Sequence, residues 1–145
     1  MIALIQRVKQ AQVDVNGETI GEIGQGILAL IGVEKDDSVQ QADALLRKII
    51  RYRIFGDDNG KMNLSLNDIG GELLLVSQFT LVANTQKGLR PSFSSGASPA
   101  EGERLFNYLC QEAKNTELKI ATGEFAADMQ VSLINDGPVT FWLQS

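Results

Sequence analysis

The sequence contains no histidine. That absence excludes Ser-His and Cys-His nucleophilic catalysis, a histidine general base and histidine-ligated zinc. Cysteine occurs once, at Cys110, so neither an internal disulfide nor a thiolate metal cluster can form. No apolar run is long enough to cross a membrane and no leader pattern opens the chain, so no membrane partner is expected and a soluble, cytoplasmic protein is. Positive charge is also scarce: the net charge of -5 argues against a generally basic nucleic-acid binder, although it says little about local patches. Any chemistry must come from hydroxyls, amides, carboxylates, backbone groups or the substrate itself, and no metal or cofactor is expected.

What is present suits one folding unit. At 145 residues, 43% hydrophobic and 21% charged, the chain can bury about 68–70% of its unfolded surface around one core, giving a single domain over residues 1–145. The organising stretch is Leu73-Leu74-Leu75-Val76-Ser77-Gln78-Phe79-Thr80-Leu81-Val82. Its first half is an unbroken apolar run that predicts a strand buried on both faces. If the strand continues, alternation puts Gln78 and Thr80 on one face and Ser77 and Phe79 on the other. Uncharged polar groups at the end of a central strand mark either a site or a strand running out into solvent.

Before it, Ile2–Val8 reads as a buried strand whose one charge, Arg7, must reach an edge or find acceptors. Ala11–Val15 and Glu18–Ile23 flank Asn16-Gly17, the preferred centre of a type I′ hairpin turn, and Ile27–Val33 follows, which together predict an antiparallel meander. Ser38 and Gln41 open an amphipathic helix through Ile50 as a capping box. Its end carries Arg47, Lys48, Arg51 and Arg53, which are either helix-end cations or a phosphate-contacting patch. Arg53–Phe55 reads as a short strand, and Gly56-Asp57-Asp58-Asn59-Gly60 as a turn that lacks the later oxygens and closing glutamate of a calcium loop.

After the organising stretch, Ala83–Ala97 is a polar loop, long for a compact domain unless functional. Ser98, Pro99 and Glu101 start a second amphipathic helix, in whose buried stripe Cys110 reads as a small core residue. Strands are then expected at Leu118–Ile120, Phe125–Met129, Val131–Ile134 and Val139–Leu143, the last two joined by Asn135-Asp136-Gly137-Pro138 as a hairpin or bulge.

Taken together, Ser77-Gln78-Phe79-Thr80-Leu81 and Asn135-Asp136-Gly137-Pro138-Val139-Thr140 resemble the two signature segments of the D-aminoacyl-tRNA deacylases, the D-tyrosyl-tRNA deacylase family. The resemblance extends to Met1–Val8, Arg53–Phe55 with Gly60–Asn63, Ser92–Gly96 and Gly123–Met129, in the same order along the whole chain. It implies an α+β fold, mainly antiparallel sheets closed barrel-like with two amphipathic helices, working as a homodimer with sites at the subunit interface. The implied partners are D-aminoacyl-tRNA and glycyl-tRNA, and the implied reaction is hydrolysis of the ester on the terminal adenosine.

The resemblance further implies that Ser77–Thr80 line the adenosine and carbonyl side of the pocket. A cis Gly137-Pro138 would carry carbonyls into the partner's pocket, hold the substrate amino group and exclude L-residues. The catalytic candidates are therefore Thr80, Gln78 and Phe79, and the substrate-binding candidates Ser77, Gly137, Pro138, Met129 and Arg7. An activated ester with a vicinal ribose hydroxyl does not require a histidine, and fixed backbone N–H groups could stabilise the oxyanion. Thr80 shares a face with Gln78 and is the candidate protein nucleophile, yet no base stands near it in sequence; pocket wall and hydrogen-bond donor is its preferred role. Arg7 is the candidate donor that holds the Gly137-Pro138 carbonyls, because a charge in the first strand needs acceptors. The competing class is a non-catalytic RNA- or protein-binding module resting on the Arg47–Arg53 cluster.

Overall fold

The first strand runs further than its apolar pattern predicts. In the computed structural model, which describes residues 1–145, β1 (Ile2–Val15) is continuous through Lys9 and Gln10, where the sequence suggests a break. The reason is pairing: the final strand, β8 (Gln130–Gln144), runs antiparallel along nearly all of one edge of β1. The other edge is shared by two strands. β2 (Glu18–Ile23) takes Ala11–Val15 and β3 (Gly26–Gly32) takes Ile2–Val8. The expected meander is thus replaced by the order β2-β1-β3, since β1 is long enough to offer one edge to both neighbours. The predicted turn is present: Asn16 and Gly17 have φ of 51° and 79°, the left-handed pair that a type I′ turn requires.

From β3 the sheet continues by parallel pairing with β6 (Glu72–Ser77) and then β7 (Lys119–Thr122). Parallel neighbours need crossovers, and the helices supply them. α1 (Val39–Arg51) lies between β3 and β6, and α3 (Pro99–Lys114) between β6 and β7. Ser38 and Gln41 close the predicted capping box on α1. On α3 the Ser98 hydroxyl accepts from the Glu101 N–H, but the Glu101 carboxylate pairs with Arg104 instead of completing the box. A short hairpin, β4 (Phe55–Gly56) with β5 (Met62–Leu64), precedes α2 (Leu66–Ile69), a one-turn helix capped by Ser65.

The sheet nearly closes into a barrel, because β2 returns to β7. At Gly21 an added Cβ would stand 2.8 Å from the Thr122 carbonyl oxygen, so only glycine allows this approach. Closure divides the core in two. Leu73 and Leu75 of β6 face the helices with Ile27, Ile31, Leu45, Ile49, Leu105 and Phe106, while Leu74 and Val76 face the barrel interior with Val8, Val13, Ile23 and Leu28. β6 is therefore buried on both faces, as its apolar run predicts, with each large side chain worth about 1.5–3 kcal/mol of burial. Truncating Leu75 to alanine would cost about 2–5 kcal/mol.

One other expectation differs, and the choice between hairpin and bulge falls on the bulge. Phe125–Met129 is a turn rather than a strand, held by Ala126 at φ 61° and an Ala127 N–H to Glu124 carbonyl bond of 3.3 Å. Val131–Ile134 and Val139–Leu143 are halves of one strand, because Asn135–Pro138 is a bulge and not a reversal. Gln6 lies opposite Thr140 and Val8 opposite Asn135, so the extra residues of β8 loop out between them.

Candidate active site

The organising strand ends at Ser77. The Gln78 N–H still donates to the Ile31 carbonyl at 2.7 Å, and the chain then tightens into a 3-10 helix over Phe79–Val82. The alternation expected for Gln78 and Thr80 on a continuing strand is therefore absent. The two side chains meet through the helical turn instead: the Gln78 amide donates to the Thr80 hydroxyl at 2.5 Å. Close packing beneath the turn depends on Gly32, where an added Cβ would approach Leu81 and Val82 side-chain carbons to 3.1 Å. Phe79 and Thr80 open the helix, so their N–H groups have no acceptor within it.

Ser77, Gln78 and Phe79 line a groove of about 590 Å3. Its walls are Phe93, Gly96 and Ala97 from the long loop, Pro99, Gly102 and Phe106 from α3, and Phe125–Met129 with Val131. Of the twenty lining residues thirteen are hydrophobic and one, Asp128, is charged, so the groove suits an uncharged, partly aromatic ligand. The exposed Phe79 ring packs at 5.1 Å and 51° against Phe93 and forms one lip. Beneath the opposite wall, a Cβ on Gly123 would lie 2.7 Å from the Met129 sulfur, and the Gly123 N–H bonds the Leu75 carbonyl at 2.8 Å; Met129 is thereby seated beside the end of β6. A second, polar depression of about 690 Å3 lies by Lys9, Glu22, Glu72 and Lys119, away from the Ser77–Phe79 segment.

Of the candidates, Ser77, Gln78, Phe79 and Met129 come together in this groove. Thr80 is exposed and reaches it through Gln78. Gly137, Pro138 and Arg7 do not line it. Gly137-Pro138 is cis, with Gly137 at φ 142°, and both residues are exposed on the β8 bulge. The Asn135 carbonyl oxygen of the side chain accepts from the Val139 N–H at 2.8 Å and its amide donates to Thr140 at 2.9 Å, which ties the bulge across its neck. Arg7 does find backbone acceptors, but they are the carbonyls of Asp136 at 3.0 Å and Ile54 at 2.6 Å, not those of Gly137 or Pro138. The Asp136 carboxylate lies 3.5 Å from Nε as well.

Cys110 is buried in α3 as a core residue, and burial pushes its thiol up to about 12. No three His, Cys, Asp or Glu side chains converge as a metal site. Sequence reasoning missed Phe93, Phe125, Ala126 and Asp128. Phe93 stands in a polar loop and Ala126 adopts a left-handed conformation that alanine seldom signals.

The family described as D-Tyr-tRNA(Tyr) deacylase matches residues 4–144. A D-aminoacyl-tRNA deacylase of Haemophilus influenzae (strain PittEE) is 64% identical over 143 residues, covering 99% of both chains. One from Pseudoalteromonas translucida (strain TAC 125) is 64% identical over 141 residues and covers 97% of both. Among solved structures, a c-Myc DNA unwinding element binding protein is 39% identical with a TM-score of 0.94, covering 100% of this chain and 99% of that one. A probable eukaryotic D-amino acid tRNA deacylase, at 15% identity, shares the fold with a TM-score of 0.85 over 99% of this chain and 98% of that one.

Proposed function

The chain belongs to the D-Tyr-tRNA(Tyr) deacylase family, and on that premise we propose that it is a D-aminoacyl-tRNA deacylase, a hydrolase that cleaves the ester between a D-amino acid and the 3′-terminal adenosine of tRNA. The observation that carries the site assignment is that Ser77, Gln78 and Phe79 line a mostly apolar groove with aromatic walls. The terminal adenosine would lie against Phe79 and Phe93, with the ester carbonyl toward the first turn of the 3-10 helix. There the Phe79 and Thr80 N–H groups are the donors for the oxyanion, each worth about 2.7–4 kcal/mol by the measure of known oxyanion holes. In the net reaction the carbonyl carbon gains the hydroxyl of a water and loses its bond to the ribose oxygen, which takes up that water's remaining proton. Overall, one water is consumed and free D-amino acid and tRNA are released. The neighbouring ribose hydroxyl supplies the polar assistance that a histidine would otherwise give, and Thr80 serves as the hydrogen-bond partner that orients the Gln78 amide beside the groove.

Chiral selection would come from a second copy of the chain. Gly137 and Pro138 are exposed and stand outside their own groove, while Ile134 and Trp142 leave about half their surface open on the same strand. In a closed two-fold dimer the bulge of one protomer would complete the groove of its partner. Its carbonyls would hold the substrate amino group without reading the side chain, and an L-residue would drive its side chain into the Gly137-Pro138 wall. Glycine has nothing to clash, so glycyl-tRNA would also be accepted. The cytoplasm, where aminoacyl-tRNA is used, is the expected location.

Release of D-tyrosine from D-tyrosyl-tRNA by purified protein in the presence of EDTA tests the activity. Absence of release overturns it. Sedimentation tests the assembly: a monomer at micromolar concentration with intact activity would remove the shared pocket.

A further inference from the structure

The long loop that walls the groove also carries charge, and its charge is of one sign. From Leu73 to Ala100 the chain has no acidic residue, whereas Lys87 and Arg90 stand at the loop's apex. In a protein of net charge -5 this is a local reversal. Both cations are exposed, and neither takes part in any of the ion pairs of the fold. Gly88, at φ 72°, turns the chain between them, and Leu89 beside Arg90 is fully exposed.

The apex is mounted on a fixed base. Asn84 and Ser92 exchange backbone bonds of 2.7 and 3.3 Å, closing the loop at its neck. The Ser95 hydroxyl donates to the Val82 carbonyl at 2.7 Å, and the Lys35 N–H to the Ser95 carbonyl at 3.0 Å. Phe93, Gly96 and Ala97 line the groove, so the apex extends from its wall.

The α1 cluster offers less. Lys48 donates to the Gln144 carbonyl at 3.0 Å and Arg53 to the Asn63 carbonyl at 2.9 Å, and none of the four cations lines the groove. On α3, Arg104 is tied to Glu101 and Lys114 stands in the last turn, beyond the groove-lining Pro99, Gly102 and Phe106.

We propose that Lys87 and Arg90 form a phosphate-binding handle for the RNA strand whose 3′ end occupies the groove. The proposal rests on the deacylase reading above and adds to it where the polynucleotide leaves the pocket. Unpaired cations on a pinned, acid-free loop can neutralise backbone phosphates without reading bases, and the exposed Leu89 can pack on a ribose or base face between them. Binding through phosphates is salt-dependent, with a slope of about 0.7 per contact on single strands.

The test compares wild type with the double variant Lys87→Gln, Arg90→Gln on two substrates, D-tyrosyl-tRNA and the D-tyrosyl ester of adenosine, which has no phosphate. On tRNA the variant is expected to raise KM about tenfold with kcat unchanged, and to flatten the salt dependence of log kcat/KM by about 1.4. On the adenosine ester the two proteins are expected to match. An unchanged KM and salt slope on tRNA overturns the handle, as does an equal loss on both substrates, which would mean a distorted groove. A wild type that hydrolyses neither substrate overturns the deacylase reading, and the handle with it.

Discussion

The Nε of Arg7 and the backbone carbonyl of Asp136 lie 3.0 Å apart, although 129 positions separate the two residues in the chain. The same guanidinium donates from Nη1 to the Ile54 carbonyl at 2.6 Å. One side chain therefore ties β1 to the segment after α1 and to the bulge that presents Gly137 and Pro138. Arg7→Ala should destabilise the protein by about 2–3 kcal/mol, because hydrogen bonds to a charged group are lost and a carbonyl is left without its donor. Thermal melting should report it, with turnover of D-tyrosyl-tRNA falling in step. Arg7→Lys should rescue little, since a single ammonium does not reproduce the guanidinium fork. Full activity in a stable Arg7→Ala protein would sever the bulge from the site.

Gly137→Ala probes the same bulge from its other side. An alanine there would have to hold φ 142°, and its Cβ would stand 2.6 Å from a Val139 methyl and 3.3 Å from the Arg7 Nη2. A lower melting temperature and a reduced D-over-L ratio are expected together. A variant with both unchanged would contradict the role given to this segment.

Thr80→Ala should remain active. Its hydroxyl is exposed and touches only the Gln78 amide, so its removal takes away one hydrogen bond, about 0.5–1.5 kcal/mol or roughly tenfold in rate at most. Trapping an acyl group on Thr80, or losing all turnover in a folded variant, would make it a nucleophile.

The pH dependence of stability should carry the mark of Glu72. The Gly24 N–H at 2.8 Å outweighs the upward push of burial and, with Lys119 at 3.0 Å, holds this carboxyl below its usual value of 4.5. A carboxylate lowered in the folded state adds stability above its unfolded pKa and loses it as pH falls through the folded one. The difference in urea midpoint between wild type and Glu72→Gln should therefore be largest near neutrality and shrink on acidification below pH 4.5. A difference that is flat from neutral to acid pH would show that the ion pair and the Gly24 bond contribute nothing.

Cys110 supplies a control. With its thiol pushed up to about 12 inside the core, it should resist alkylation in the native protein at pH 8, and Cys110→Ala should keep its turnover.

Elements with dense local signals were legible in the sequence: the Asn16-Gly17 turn, the Ser38 capping box and the doubly buried Leu73–Val76 run all stand where pattern puts them. Where strands run on past an apparent break, the cause is that long-range pairing overrides local pattern. β1 continues through the polar Lys9-Gln10 pair because β8 pairs alongside, and β8 survives Asp136-Gly137-Pro138 because a bulge absorbs them. The 3-10 turn at Phe79 was hidden for a similar reason, its tightness depending on Gly32 of another strand. Uncharged polar residues after a buried strand located Ser77–Phe79, but no local pattern could announce that Phe93 and Asp128 would meet them across the groove.

The central claim is hydrolysis of D-aminoacyl-tRNA by a pocket that excludes the L-form, and it is tested most directly by parallel time courses on D-tyrosyl-tRNA and L-tyrosyl-tRNA with one purified preparation. The account predicts that the D-ester disappears at least about a hundredfold faster, a difference of about 2.7 kcal/mol between the two transition states. Equal rates on the two esters, or faster loss of the L-ester, would contradict it.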